Sequence, residues 1–141
     1  MKTRTVWIDA NIIIRFITAD HPAMTPEAAR LMKKAELGQL RLKIPSMVIA
    51  ECCWVLQSRQ YRYAPSDIAG VLSALIAADG IEMDEKDVIL DALELYSRSS
   101  VDFVDAYMSA HARAAGSDPI VTFNTKDFRK LKSASLRPDE V

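Results

Sequence analysis

Val6-Trp7-Ile8-Asp9-Ala10-Asn11 opens the chain with a short apolar run that stops at an acid, and Asn11 to Ile17 continues it as an apolar helix. A strand of three residues followed at once by a helix is half of a crossover unit, and the rest of the chain repeats the alternation. His21-Pro22 breaks the first helix, and Thr25-Pro26-Glu27 reads as a new start, with a cap, a proline at the first position and then an acid. That helix ends near Gly38. Arg41 to Ile44 follows as a strand, Pro45 stops it, and Ser46 is placed to cap a helix from Met47 to about Arg59. The helix is apolar nearly all round, which predicts burial on most faces.

Pro65-Ser66-Asp67 starts another helix, with Ile68, Val71, Leu72, Leu75 and Ile76 at helical spacing and Gly80 at its end. Ile81-Glu82-Met83 reads as a strand, Val88–Tyr96 and Val104–Ala115 as helices, and Pro119 to Phe123 as a strand. A short helix over Lys126 to Leu131 and a brief terminal strand complete the chain. Short strands alternating with helices predict an α/β sandwich with a central, mainly parallel sheet. In such folds, sites form beyond the carboxyl ends of the strands. Asp9 and Asn124 both fall just past predicted strand ends.

At 141 residues, half of them hydrophobic, the chain is expected to form a single domain over residues 1–141. A chain of this size buries roughly two-thirds of its unfolded surface and needs no disulfide staples. With 26% charged residues and a net charge of -1, the composition is that of a folded domain, without an overall positive field for nucleic acid. Cys52 and Cys53 are adjacent, a spacing that disfavours a mutual disulfide and offers no metal knuckle. A reduced, cytoplasmic setting is expected. Met1-Lys2-Thr3-Arg4-Thr5 leads into an apolar stretch interrupted by Asp9 and Arg15, unlike a secretory leader. No run approaches the roughly 20 apolar residues of a membrane span.

The acids carry the chemistry. Asp9 can cap the first helix or ligate a metal at the sheet edge. An aspartyl-nucleophile hydrolase would want a second acid two residues later, where Asn11 cannot titrate. Glu51 is the sole charge in Pro45-Ser46-Met47-Val48-Ile49-Ala50-Glu51-Cys52-Cys53-Trp54-Val55-Leu56. Burying it unpaired would cost several kcal/mol, about 3 or more, so it must either pair with a buried cation or face a polar cleft. Asp102 and Asp105 can serve as N-cap and third residue of one helix, and their spacing also puts both on one helical face. Asp127 can be held by a cap at Asn124 or can join the others, with Thr122 and Asn124 as polar support. Parallel topology gathers strand ends and helix starts on one edge. Asp9, Glu51, Asp105 and Asp127 collected there would repel one another without a cation, and an all-carboxylate set predicts Mg²⁺ or Mn²⁺.

These segments, in this order, resemble the PIN domain family, and within it the VapC-type toxin ribonucleases of toxin–antitoxin pairs. The matching segments are Trp7-Ile8-Asp9-Ala10-Asn11, Ala50-Glu51-Cys52-Cys53-Trp54-Val55-Leu56, Val101-Asp102-Phe103-Val104-Asp105-Ala106 and Val121-Thr122-Phe123-Asn124-Thr125-Lys126-Asp127-Phe128. The resemblance covers essentially the whole chain. It implies an α/β/α sandwich with a five-stranded parallel sheet and a Mg²⁺- or Mn²⁺-dependent endoribonuclease. Asp9, Glu51 and Asp105 match the family's core acids, Asp127 the fourth, and Asp102 an acid found in many members. Asn11, Thr122 and Asn124 would support the ligands. It also implies a homodimer and a cognate antitoxin whose tail would block the acidic cleft. Some relatives carry Asp at the position of Asn124, so a PIN fold that only binds RNA or protein is the alternative.

Phosphate contacts require cations, and Lys126, Arg129, Lys130 and Lys132 give the last segment a basic bias beside the expected site. Arg137 adds to it, and Arg59 and Arg62 flank Tyr61. His21 and His111 have no partners at metal-ligand spacing, and phosphate-loop, dinucleotide and GxSxG motifs do not occur. A phosphotransfer receiver would need a functional lysine after a later strand, a role that only Lys126 approaches.

Overall fold

The computed structural model describes residues 3–141. Met1 and Lys2, where the reading of the N-terminus begins, lie outside the described residues. The chain runs β1 (Arg4–Trp7), α1 (Ala10–Thr18), α2 (Met24–Glu36), β2 (Leu40–Lys43), α3 (Ser46–Gln57), α4 (Pro65–Ala77) and β3 (Ile81–Glu82). It continues with α5 (Lys86–Ser99), α6 (Phe103–Ala114), β4 (Ile120–Val121), α7 (Thr125–Lys130), β5 (Ser135–Leu136) and a 3₁₀ turn at Pro138–Glu140. The α/β alternation read from the sequence is therefore present.

β1, β2 and β3 form a parallel sheet in that order, with Arg4 opposite Leu40, Trp7 opposite Lys43 and Leu42 opposite Ile81. The ladder runs past the strand ends: Ile8 N donates to Lys43 O and Ile44 N to Glu82 O, each at 3.0 Å. β4 and β5 form a separate parallel pair, with Ile120 opposite Ser135. All five expected strands exist and all pair in parallel, but their hydrogen bonds divide them three and two rather than into one sheet. Strands of two residues have few backbone groups to offer, and those of β4 go to β5 and its flanks: Ile120 N donates to Ala134 O and Thr122 N to Leu136 O.

The core lies between the strands and the helices. Ile13, Leu42, Ile49, Leu56, Ile68, Leu72, Leu93 and Phe103 are all nearly inaccessible. Tyr96 is buried edge-on against Phe103 and donates its hydroxyl to Gln57 Oε1 at 2.6 Å, which satisfies its one polar atom. The apolar stripe of α4 is consumed here, since Ile68, Leu72, Leu75 and Ile76 are buried and Val71 alone of the five is exposed. α5 packs against both α4 and α6, and α3 touches α4 and α6, so these four helices form a continuous layer.

Two expected caps are corrected. Thr25 does not cap α2. The helix begins at Met24, and His21 Nδ1 accepts from Ala23 N and Met24 N at 3.2 and 2.9 Å, while Thr25 Oγ1 donates to Arg15 O. Ser46 is the first residue of α3, not its cap, and its hydroxyl donates to Glu85 Oε2. The burial expected all round α3 is also overturned: Met47 and Trp54 are exposed, at 84% and 54%, with Glu51 exposed between them. Residues at i, i+4 and i+7 share one helical face, so that face is an open stripe with an acid at its centre.

Candidate active site

Asp9 stands two residues past β1 in extended backbone and caps α1, its Oδ1 accepting from Ile12 N at 3.3 Å. The cap fixes the carboxylate at the carboxyl edge of the sheet and leaves its other oxygen free. Glu51 lies exposed on the open stripe of α3, so the buried ion pair considered from sequence does not form, and among the described residues it makes no salt bridge. Asp102 occupies the N-cap position of α6, yet its side chain makes no cap bond. It accepts instead from Trp54 Nε1 at 3.4 Å. Asp105 is one turn further along, half-buried. Asn124 caps α7 and bonds Asp127 twice, accepting from its backbone N at 3.3 Å and donating from Nδ2 to its Oδ2 at 2.6 Å. Thr122 Oγ1 accepts from Asn124 N at 2.9 Å, which steadies that cap.

Electrostatics link Asp105 with Asp102 and Asp127. Burial raises the Asp105 carboxyl above the usual carboxylate range, and the charges of Asp102 and then Asp127 push it further. Burial raises the Cys52 thiol to about 12, with added pressure from Glu51 and Asp9, while Cys53 is raised by burial and, more weakly, by Cys52 and Asp102. The two buried thiols are therefore held protonated on α3, whose exposed face carries Glu51 and the Trp54 that bonds Asp102. Among the described residues, none of the five acids forms a salt bridge. Like charges held together without a counter-charge are unfavourable, and Asp105 carries the effect visibly.

Among the described residues, no three His, Cys, Asp or Glu side chains stand close enough to ligate one ion together. Magnesium ordinarily takes one or two carboxylates and keeps several waters, so pairs of these acids satisfy its needs without a complete protein cage. The donors are all carboxylate oxygens, which suit Mg²⁺ or Mn²⁺ over softer metals. The residues present thus fit a hydrated hard cation.

The remaining expected residues are placed less closely. Asn11 directs its amide toward Met24 Sδ at 3.9 Å rather than to a carboxylate. Lys126, Arg129 and Lys130 are exposed on α7, the helix that carries Asp127, with Lys132 exposed just beyond it, and none of the four is ion-paired among the described residues. Arg137 is engaged by Asp139. His111 pairs with Glu85 at 3.2 Å and stacks on Tyr107, away from any ligand role. Sequence reasoning missed Trp54 as the partner of Asp102. Its position three residues after Glu51, on the same helical face, was the available signal.

A cleft of about 780 Å³ opens at the carboxyl edge of the three-stranded sheet, lined by Trp7, Lys43, Ser46, Met83 and Glu85 among others. None of the five acids lines it, but Trp7 lies two residues before Asp9. No described helix is long and apolar enough to cross a membrane.

Comparison with known proteins gives two findings. The sequence profile of the PIN domain family matches residues 6–133. The chain is 23% identical over 133 residues to the VapC ribonuclease of Aquifex aeolicus (strain VF5), a match spanning 94% of this chain and 96% of that protein.

Proposed function

The chain belongs to the PIN domain family, and we propose that it is a Mg²⁺- or Mn²⁺-dependent endoribonuclease acting as the toxin of a toxin–antitoxin pair. The observation that carries this reading is the crowding at Asp105: a half-buried carboxyl raised by burial and by two neighbouring acids, with no salt bridge among the described residues. The likeness to a VapC ribonuclease supplies the substrate class.

Asp105 and Asp9 are the first ligands in this mechanism, with Glu51 and Asp127 as second ligands or as the groups that orient water, and Asp102 beside them. A bound divalent cation supplies a lowered pKa for an attacking water and a charge that balances the phosphoryl oxygens as the bond breaks. The protein's own part is positional. The N-terminus of α1 holds one oxygen of Asp9, Trp54 holds one of Asp102, and Asn124 holds one of Asp127, so each acid presents its remaining oxygen in a fixed direction. Asp105 must lose its proton before it can ligate. Lys126, Arg129, Lys130 and Lys132 supply phosphate contacts that hold RNA across the acids.

The partners follow from the same reading: an RNA substrate, a cognate antitoxin, and a second copy of this chain, in the cytoplasm. The exposed apolar stripe of Met47 and Trp54 around Glu51 offers a surface for a protein partner to cover. A second reading is a PIN fold that binds RNA or protein without cutting. It is favoured by one feature, the amide of Asn124 where some relatives carry a carboxylate.

Incubating the purified protein with total RNA and Mg²⁺ or Mn²⁺, against chelator and against Asp9→Asn, tests the proposal. Cleavage that needs the ion and is lost in Asp9→Asn is the expected result. Absence of cleavage, with no heat of ion binding, would move the assignment to the binding module.

A further inference from the structure

Trp7 is 65% exposed at the end of β1, in a segment where burial alternates strictly: Trp7 and Asp9 are exposed, Ile8 and Ala10 buried. In extended backbone this puts the indole and the Asp9 carboxylate on one face, about 7 Å apart along the strand. Lys43, the residue paired with Trp7 in the neighbouring strand, holds its ammonium 5.2 Å from the indole centroid. That contact fixes the ring against the sheet end. Lys43 has no carboxylate partner among the described residues.

Both side chains line the cleft of about 780 Å³. Two of its acids are already engaged: Glu82 with Arg41 at 2.5 Å, and Glu85 with Ser46, with Tyr107 at 2.7 Å and with His111. The third acid on that wall, Asp84, disfavours a phosphate there, and Met83 offers apolar surface. A pre-oriented indole, an ammonium beside it that no carboxylate neutralises among the described residues, and a wall that rejects phosphate fit a flat, neutral ring tethered to an anion. Exposed aromatics that stack bases next to cations that track the backbone are the general means of holding single-stranded nucleic acid.

We infer that Trp7 and Lys43 form a nucleotide-binding subsite beside the cleavage site, in which one unpaired base of the RNA stacks on the indole and its phosphate meets Lys43. The inference rests on the ribonuclease reading and extends it by assigning Trp7 and Lys43 as the residues that hold the nucleotide next to the cut. Stacking accepts every base, so this subsite selects strandedness rather than sequence.

The test uses the full chain and one labelled RNA oligonucleotide, offered single-stranded or annealed to its complement. Trp7→Ala is expected to raise KM for the single strand about 5- to 150-fold, the range for loss of one base stack. It should leave kcat at saturating RNA within about twofold, because the acids are untouched, and Trp7→Phe should recover most of the loss. In chelator, with Trp54→Phe leaving Trp7 as the sole tryptophan, single-stranded RNA should quench its emission to saturation and the duplex should not. An unchanged KM in a folded Trp7→Ala protein, or an emission unmoved by RNA whose binding is seen by anisotropy, would overturn the inference while leaving the nuclease reading intact. If the wild-type chain neither binds nor cuts RNA, the nuclease reading itself fails and the subsite falls with it.

Discussion

Asn124 donates from Nδ2 to Asp127 Oδ2 at 2.6 Å while its own side-chain oxygen accepts from the Asp127 backbone N. An aspartate at position 124 would put two carboxylates at that distance. The amide is therefore a clamp on Asp127 rather than an empty ligand position, and it aims the acid while sparing the site one more like charge.

Replacing the clamp separates its two roles. Asn124→Ala removes the cap of α7 and should cost about 1 kcal/mol of stability, read as a lower urea midpoint. Asn124→Asp keeps the cap oxygen but loses the donated bond. Its metal-free protein should be less stable than wild type, and Mn²⁺ should restore more stability to it than to wild type, read as the shift in Tm with added ion.

Asp105 ties stability to pH in an unusual direction. Its carboxyl is raised in the folded protein, so the folded state holds more protons than the unfolded one between the ordinary and the raised value. Stability from this group then falls as pH rises through that window. In chelator, Asp105→Asn should make the protein more stable than wild type at neutral pH. The gain should vanish once pH drops below the ordinary carboxylate range. Urea midpoints measured across pH for both proteins check this.

Asp20 runs the opposite way. Hydrogen bonds from Thr18, Tyr61 and Arg15 hold its carboxyl down, at about 2. A depressed acid contributes stability above its ordinary value of 3.8 and loses it as pH falls toward 2. Asp20→Asn should flatten the acid side of the stability curve. Carbon-detected titration should place the Asp20 carboxyl well below the ordinary aspartate value of 3.8.

Gly80 sets the position of β3. Its φ is +83°, and a Cβ there would fall 2.5 Å from Ala35 O, while its own carbonyl accepts from Leu42 N. Gly80→Ala must both hold a left-handed conformation and displace α2 from the strand. It should destabilise the fold by more than the roughly 1 kcal/mol of the conformation alone, measured by urea unfolding.

Much of this arrangement is legible in the sequence because local chemistry and tertiary role agree. Ile8 runs into Asp9 as a strand end and helix cap, and the acids of α6 and α7 fall at helix starts. The misreadings arise where a partner distant in sequence or space intervenes. Thr25 looks like a cap, but the imidazole of His21 reaches the free amides first. Ser46 looks like a cap, but Glu85 takes its hydroxyl. Met47 and Trp54 look like core because they are apolar, and composition carries no information about which helical face meets a neighbour. The division of the strands depends on how many backbone groups β4 and β5 have to share, which the apolar run from Pro119 to Phe123 overstates. The roles of Asp9, Glu51, Asp105 and Asp127 as ligands stand as the proposal to be tested.

The central claim is that these acids hold a divalent cation, and the most direct measurement is a calorimetric titration of Mn²⁺ into the wild-type chain and into Asp105→Asn. The account predicts saturable binding that weakens as pH falls through the raised range of Asp105, with proton release on binding, and at least a roughly tenfold loss of affinity in Asp105→Asn. A titration with no heat of binding, or one that Asp105→Asn leaves unchanged, would contradict it.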